Sequence, residues 1–303
     1  MNRLSFVSAA FWALFTSGLQ AADYRPPAES AAALKAIDFA AAVPLNEAYR
    51  RNFTRCDGLL NGAVGKDTFK GVALHKPYLC STDPSYVKTL LKLQDGGVLW
   101  ESKMALDLDG SWASWSGIKW KKPDGSVQST TDLCGTSMKW KSHTGSDCAH
   151  PEAQVDSDKF PFIVMPTASL TSKFGSTTEG FGKEFGEITG LKMRDMGVVV
   201  YKGKWSPVFI ADGGPFMRLG EGSARLFENL GQSRCQKWDA AGTRCIGLGN
   251  QLYPYKNFGI SSKVVFVVYP GSGKATMTPE TAMAEICGFA KAKLGLSGAA
   301  GCP

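Results

Sequence analysis

The sequence has few of the residues that commonly build metal sites and nucleophile sites. Its 303 residues include only three histidines, and His75 lies far along the chain from His143 and His150. It contains no H-E-x-x-H pair, no Cys/His zinc spacing and no G-x-S-x-G elbow. The glycines at 271–273 do not continue into the G-K-[S/T] sequence of a P-loop. Nothing therefore points to a zinc enzyme, an α/β-hydrolase or a P-loop NTPase, and we expect no metal or other cofactor.

Long apolar runs are also missing after the first 22 residues. No later stretch approaches the roughly 18 apolar residues of a membrane-spanning helix, so we expect no membrane span. At the N-terminus, Arg3 precedes an apolar run over residues 4–19 that is followed by small residues. This pattern predicts a secretory signal peptide over residues 1–21 and a secreted or periplasmic location. We expect residues 22–303 to form a single domain.

None of the eight cysteines belongs to a C-x-x-C motif. An even number of cysteines in an exported chain indicates disulfide bonds rather than a metal site. Eight cysteines allow 105 pairings, and sequence proximity alone supports the pairing of near neighbours. On that basis we expect four bonds: Cys56–Cys80, Cys134–Cys148, Cys235–Cys245 and Cys287–Cys302.

The formal net charge of +7 comes from lysines and arginines that are scattered rather than clustered. Nucleic-acid binding typically uses a basic stripe interleaved with aromatic residues, and the sequence has none, so we expect no nucleic-acid partner. A basic surface is compatible with an anionic polymer of a cell envelope. We expect the protein to be a monomer.

Two aspartates close a predicted strand over residues 97–106. The D-x-D-G sequence at residues 107–110 is also found in calcium loops, but such loops need further ligands, including a bidentate glutamate, and none follows here. A turn in which the aspartate side chains cap backbone groups is one alternative. The other is that Asp107 and Asp109 line a binding site for a sugar or an amino sugar.

The stretch over residues 196–227 holds two further carboxylates. Two predicted strands, 197–201 and 205–211, flank a short turn and indicate a β-hairpin. Asp212 follows the second strand, and Glu221 comes nine residues later between two glycines. Carboxylates placed in this way can serve as an acid and a base. An aspartate in a turn and a glutamate near a helix start more often stabilise only the backbone.

Four tryptophans are separated by polar residues within one short region: Trp112, Trp115, Trp120 and Trp140. Aromatic rings stack on the sugar rings of extended polysaccharides, which makes Trp112 and Trp115 candidate substrate-binding residues. Core packing is the commoner role of any single tryptophan. Arg218 is a further candidate for substrate binding.

Four segments occur in one order along the chain, at residues 103–110, 160–166, 195–223 and 264–273. They read KMALDLDG, FPFIVMP, DMGVVVY…IADGGP…LGEGS and VVFVVYPGSG. Together they resemble the family 75 glycoside hydrolases, the fungal-type chitosanases and their bacterial relatives, over about residues 95–275. The Ala-Asp, glycine-rich turn and Gly-Glu-Gly-Ser sequence is the most specific part of this resemblance.

The resemblance implies an exported, endo-acting enzyme that hydrolyses the β-1,4-glycosidic bonds of chitosan with inversion at the anomeric carbon. The two catalytic carboxylates of the family match Asp212 and Glu221, and we expect Glu221 to be the general acid and Asp212 the general base. Asp107 and Asp109 match another recurrent segment of the family, and their expected role is to bind a cationic glucosamine unit. The expected partner is therefore a polysaccharide.

Two departures from the family leave other functions open. Gly213 stands where the family often has threonine, and the chain is basic although chitosan is a polycation. One alternative is a peptidoglycan-cleaving glycosidase or lytic enzyme. Another is a non-catalytic carbohydrate-binding envelope protein of the same fold.

The order of strand, Ala-Asp, glycine turn and G-x-G also looks like that of double-psi β-barrel hydrolases and lytic transglycosylases. This likeness predicts a mainly β fold with a few helices. Its core would be a six-stranded double-psi-like β-barrel with long disulfide-braced loops.

Overall fold

The protein is built mainly from β-strands. The structure, a computed structural model, describes residues 24–45, 68–69, 72–73, 89–116, 118–121, 125–128, 134–166, 183–214, 219–249, 252–296, 298 and 302. The strands in this part of the chain are β1 (Val43–Pro44), β2 (Thr68–Phe69), β3 (Val72–Ala73), β4 (Thr89–Lys92), β5 (Val98–Asp107), β6 (Trp120–Lys121), β7 (Val127–Gln128), β8 (Phe162–Pro166), β9 (Met196–Tyr201), β10 (Lys204–Gly214), β11 (Glu221–Ser223), β12 (Lys237–Trp238), β13 (Cys245–Ile246) and β14 (Gly259–Val268). The helices are α1 (Trp112–Trp115), α2 (Lys183–Thr189), α3 (Ala224–Asn229) and α4 (Ala282–Leu294).

A closed barrel forms the centre of the fold. Its strands follow the order β5, β11, β8, β10, β9 and β14, and β14 pairs back onto β5. β11 runs parallel to β5 and β10 runs parallel to β8, whereas the other neighbours in the barrel are antiparallel. β4 and β1 extend the sheet from the first half of β5. The predicted mainly β fold around a closed six-stranded barrel is confirmed.

The predicted hairpin is confirmed as β9 and β10. The two strands pair antiparallel with Tyr201 opposite Lys204. Both turn residues, Lys202 and Gly203, have positive φ angles, 47° and 74°. Two-residue turns of this kind match the right-handed twist of the flanking strands. The valines at 198–200 are fully buried because β9 has a paired strand on each side and apolar groups against both of its faces.

Apolar side chains fill the barrel interior and also cover its outside. In the interior, the rings of Trp100 and Phe266 stack with their centroids 5.0 Å apart. Side chains alternate along each strand, so Val265 and Val267 lie on the outer face of β14 and pack against Ala290 of α4. The barrel therefore has a packed core rather than an open lumen, and a ligand has to bind elsewhere.

The outer face of β8 and β10 is covered by the segment over residues 134–158. Phe162 and Phe209 pack there in one apolar cluster with Met138 and Val155 of this segment. The backbone N–H of Met138 donates to the carbonyl oxygen of Ala211 at 2.8 Å. The segment has little regular structure beyond short 3-10 turns, and it lies directly against the end of β10.

Three predicted disulfide bonds are confirmed: Cys134–Cys148, Cys235–Cys245 and Cys287–Cys302. The first closes a loop within the segment over residues 134–158, and the third ties the end of the chain to α4. Cys56 and Cys80 lie outside the described residues, and their pairing stays a prediction.

No helix in the described part of the chain is both long and apolar enough to cross a membrane. The predicted signal peptide, residues 1–21, and Arg218 lie outside the described residues.

Candidate active site

Two of the predicted site residues lie on adjacent parallel strands. β5 ends at Asp107 and β11 begins at Glu221, with Ser223 of β11 opposite Asp107. Residues two apart on a strand share a face, so Glu221 points to the same side of the sheet as Asp107. Met104 of β5 faces the barrel interior, which places both carboxylates on the outer face. The strand register therefore explains why these two residues meet.

A β-bulge brings Asp212 to the same outer face. Ile210 of β10 is opposite Ile163, but the next paired residue is Asp212, opposite Val164. One extra residue, Ala211, is thus inserted into β10. Val164 packs in the outer cluster, whereas Ile163 and Ile210 lie in the interior cluster. In a regular strand Asp212 would share the face of Ile210, so the bulge moves its carboxylate to the outside of the barrel.

Donors from a distant loop hold the carboxylate of Asp212. Its Oδ1 accepts hydrogen bonds from the backbone N–H of Ser137 and from the hydroxyl of Ser137, both at 2.7 Å. The backbone N–H of Gly213 donates to the same oxygen at 2.7 Å. Three donors on one oxygen favour the ionised form of a carboxylate. The hydroxyl of Ser137 supplies a donor of the kind that a threonine at position 213 would offer.

The pKa of Asp109 is raised from 3.8 to about 8. Burial is the main cause, followed by the negative charge of Asp212, a hydrogen bond between the two carboxyl groups, and the charge of Glu221. Lys139 opposes the rise with its positive charge. Burial also leaves the pKa of Asp212 above its ordinary value, although hydrogen bonds with Ser137, Gly213 and Asp109 offset part of this rise. At neutral pH Asp109 is therefore mostly protonated and donates to Asp212.

Asp107 lies close to the other three carboxyl groups. It is 7% exposed, and burial together with the charges of Asp109, Asp212 and Glu221 holds its pKa well above the ordinary value. Its Oδ1 accepts a hydrogen bond from the backbone N–H of Asp109 at 3.0 Å. Its Oδ2 is buried and has no hydrogen-bond partner among the described residues. The role predicted for Asp107 and Asp109 in binding a glucosamine unit stays a prediction.

The same aspartates are spaced closely enough to share a cation. Asp107, Asp109 and Asp212 each present a carboxylate oxygen within 4.8 Å of the others. A second group of this kind combines Asp158 with Cys235 and Cys245. Those two sulfurs form a disulfide bond, so they are not available as thiolate ligands.

The two predicted tryptophans have different surroundings. Trp112 packs against Trp120, with ring centroids 5.4 Å apart, and the guanidinium of Arg244 lies 4.8 Å from the centre of a Trp112 ring. Trp115 lines a pocket together with Trp140. The roles predicted for Trp112 and Trp115 in substrate binding stay predictions, and Trp115 has the more suitable position.

Ser137 and Lys139 also belong to the site, although neither was among the predicted residues. Ser137 is 75 residues away from the aspartate that it holds. The ammonium group of Lys139 donates to Asp147 at 3.0 Å and to Gln154 at 2.7 Å, which fixes its charge beside Asp109. Neither residue belongs to a motif, so no signal in the sequence could have identified them.

Gly220 sets the position of Glu221. Its φ angle is +83°, and a Cβ atom at this residue would lie 2.0 Å from the carbonyl oxygen of Lys103. Only glycine fits such a close approach of two backbones at a positive φ. The close contact between Gly220 and the backbone of β5 thus fixes where β11 and Glu221 begin.

We expect Gly220→Ala to lower the free energy of unfolding by about 2–3 kcal/mol, because the added methyl group clashes with backbone at a strained φ angle. Urea denaturation measures this change. Gly242→Ala is a matched control, since Gly242 has a φ angle of +67° but nothing within 4 Å of the added Cβ. The control should lose about 1 kcal/mol through the φ angle alone. Equal losses in the two variants would contradict the steric argument.

Comparison of the sequence with models of known protein families gives no match. Comparison with curated proteins gives no significant match either. The function of the carboxylate cluster therefore has to be inferred from its geometry and from the sequence motifs.

Proposed function

We propose that the protein is a glycoside hydrolase that cleaves β-1,4-glycosidic bonds within chitosan chains by an inverting two-carboxylate mechanism. The observation that carries this proposal is the presence of Asp212 and Glu221 on one outer face of the barrel, beside Asp109. The motif resemblance to family 75 glycoside hydrolases points to the same pair. The three disulfide bonds support the expectation that the protein is exported.

In the proposed reaction Asp212 is the general base and Glu221 is the general acid. The carboxylate of Asp212 takes a proton from a water molecule as the water oxygen forms a bond to the anomeric carbon. The bond between that carbon and the glycosidic oxygen breaks at the same time, and Glu221 gives its proton to the leaving oxygen. The water attacks from the side opposite the leaving group, so the anomeric configuration inverts.

Asp109 acts in this scheme as a positioning residue. Its pKa of about 8 keeps its proton in place at neutral pH, and this proton is shared with Asp212. The hydrogen bond favours the ionised form of Asp212 and limits the negative charge that accumulates in the cluster. Asp212 can then remain a base although it is only 5% exposed.

Local charge supports an amino-sugar substrate even though the whole chain is basic. Charges further away than the Debye length of about 8 Å are largely screened at physiological ionic strength. The scattered charges behind the net value of +7 therefore matter less at the site than the ionised carboxylate of Asp212. A protonated glucosamine amine is attracted to this carboxylate, and the neighbouring carboxyl groups can accept its hydrogen bonds.

The decisive experiment is to incubate the purified protein with chitosan and to measure new reducing ends. Proton NMR of the first products gives the anomeric form, and we expect the α form from a β-linked polymer because the mechanism inverts. Chitin of matched length is the control for the requirement for free amines. Absence of products from chitosan, or a β product, would refute the proposal as stated.

Peptidoglycan is a second candidate substrate. The basic charge of the chain supports it, because peptidoglycan-containing envelopes carry anionic polymers. Purified cell walls incubated with the protein would then release muropeptides. Binding to polysaccharide without any product would instead support a non-catalytic envelope protein.

We expect EDTA to leave chitosan hydrolysis unchanged. The physical reason is that the proposed mechanism assigns every proton transfer to a carboxyl group and uses no cation, although the spacing of the three aspartates would allow one to bind. The measurement compares initial rates after dialysis against EDTA and after addition of calcium or magnesium. A loss of more than about tenfold, restored by a divalent cation, would show that the three aspartates bind a metal instead.

A further inference from the structure

A pocket with aromatic walls lies next to the carboxylate cluster. Its cavity volume is about 380 Å³, and Trp115, Trp140 and Phe160 form much of its apolar lining. Glu152, Asp156 and Lys159 contribute charged groups to the same pocket. The volume is near the lower end of the range of roughly 300–1,000 Å³ for small-molecule sites. It is suited to one ring of a polymer rather than to a large folded ligand.

Two short connections join this pocket to the cluster. Asp156 precedes Ser157, and the hydroxyl of Ser157 donates to the backbone oxygen of Asp107 at 2.6 Å. Trp140 follows Ser137, which holds Asp212, by three residues, so their Cα atoms are at most about 11 Å apart. The pocket and the residues that hold the cluster therefore belong to the same two stretches of the chain.

The aromatic wall is held rigidly by its neighbours. The centroid of the Trp140 ring lies 5.2 Å from that of Phe160 and 6.0 Å from that of Phe209. The backbone N–H of Trp140 also donates to the carbonyl oxygen of Ala153 at 2.8 Å. A ring that is already fixed loses little conformational entropy when a ligand stacks on it.

Polar groups beside the aromatic wall match the edges of a sugar ring. The carboxylate of Asp156 accepts from the backbone N–H of Asp158 at 2.9 Å and lies 3.3 Å from the ammonium of Lys159. Glu152 is exposed and pairs with Lys141 at 3.2 Å. Acceptors and donors thus stand together around an apolar face, as the hydroxyl and amino groups of a pyranose ring require.

We propose that the pocket lined by Trp115 and Trp140 is a subsite for one pyranose unit of the polysaccharide, away from the cleaved bond. This inference rests on the proposed glycosidase function and extends it. Only a long chain can occupy both the cleavage site and this subsite, so long chains should bind more tightly than short ones. Such a subsite would make the protein an enzyme that cuts within a polymer rather than one that prefers disaccharides.

The test measures affinity against chain length in a protein that cannot cleave its ligand. Glucosamine oligomers from the dimer to the octamer are titrated into the full-length Glu221→Gln variant by calorimetry. Affinity should rise with length until the oligomer reaches the pocket. Adding Trp140→Ala or Trp115→Ala should remove this rise and weaken binding of the longest oligomers about tenfold, with little effect on the shortest.

Two further variants test whether a loss of affinity comes from misfolding or from changing any tryptophan. Trp140→Phe keeps an aromatic face and should retain most of the affinity for long oligomers, which also covers the case in which the alanine variant fails to fold. Trp205→Phe changes a tryptophan that packs against the apolar cluster of Val265, Val267 and Ala290, and it should leave the length dependence unaltered.

The possible outcomes distinguish failure of the proposed subsite from failure of the proposed hydrolysis. If the wild-type protein cleaves chitosan but the Trp115 and Trp140 variants bind every oligomer normally, the subsite is overturned and the glycosidase stands. If the wild-type protein cleaves nothing, yet affinity rises with length and falls in Trp140→Ala, the subsite stands and the proposed hydrolysis fails. If no oligomer binds at any length, the subsite is overturned whatever the activity.

Discussion

Asp212→Asn and Glu221→Gln are each expected to lower kcat for chitosan hydrolysis by about a thousandfold, within the range for loss of a general acid or base. The amide introduced by Asp212→Asn cannot accept a proton from water. The amide introduced by Glu221→Gln has no proton of suitable acidity to give to the glycosidic oxygen. Both replacements keep the size of the side chain, so KM should change little. Initial rates of reducing-end formation at several chitosan concentrations separate kcat from KM.

Exposed residues of the same types provide matched controls for these two variants. Asp239→Asn and Glu280→Gln change carboxylates at the surface and should keep full activity. Thermal unfolding should show that all four variants are folded. Wild-type rates in Asp212→Asn or Glu221→Gln would mean that these two residues are not the acid and the base, and the assignment would have to be abandoned.

Asp109→Asn should stabilise the protein at alkaline pH while it slows the reaction. The folded protein holds the Asp109 proton up to a pKa of about 8, against 3.8 in the unfolded chain. The folded state therefore binds more protons between these values, and stability falls as the pH rises from about 4 to about 8. Asparagine carries no titrating proton, so this loss disappears in the variant.

The expected gain at pH 8 is about 2 kcal/mol in the free energy of unfolding, less than the full pKa shift implies because the neighbouring carboxyl groups titrate together. For a domain of this size that corresponds to a rise in Tm of about 5 °C. Below pH 4 the two proteins should have the same stability. Activity should fall about tenfold, mainly in kcat, because the introduced amide donates to Asp212 less strongly than the carboxyl group of Asp109 does.

Thermal melts of wild type and Asp109→Asn between pH 4 and pH 9 test this prediction. Asp239→Asn is again the control, since Asp239 is exposed and its pKa is lowered by a hydrogen bond from the backbone of Thr243. It should not flatten the pH dependence of Tm. A Tm for Asp109→Asn that decreases with pH as steeply as that of the wild type would show that Asp109 is not the group holding the proton.

Local sequence patterns were sufficient to predict much of the barrel. The hairpin of β9 and β10 follows from two apolar runs around a short glycine turn, and β5 follows from the run that ends at Asp107. Three disulfide bonds follow from sequence proximity. These features depend on residues close together in the chain, where pattern and spacing carry the information.

The assembly of the site could not be predicted in the same way. Ser137 reaches Asp212 across 75 residues, and the shared proton of Asp109 depends on burial that exists only in the folded protein. Residue patterns also provide no basis for distinguishing Trp112 from Trp115, which lie within one helical turn. The structure separates them because one packs against Trp120 and the other lines the pocket.

The extra residue in β10 also bears on how such a site evolves. In a regular strand of the same length Asp212 would point into the apolar interior, where an ionised carboxylate costs several kcal/mol. A change of side chain does not add a residue to one strand of a pair. A barrel of this kind without the extra residue would therefore need an insertion next to Ala211, as well as the aspartate itself, to present a base at this place on its outer face.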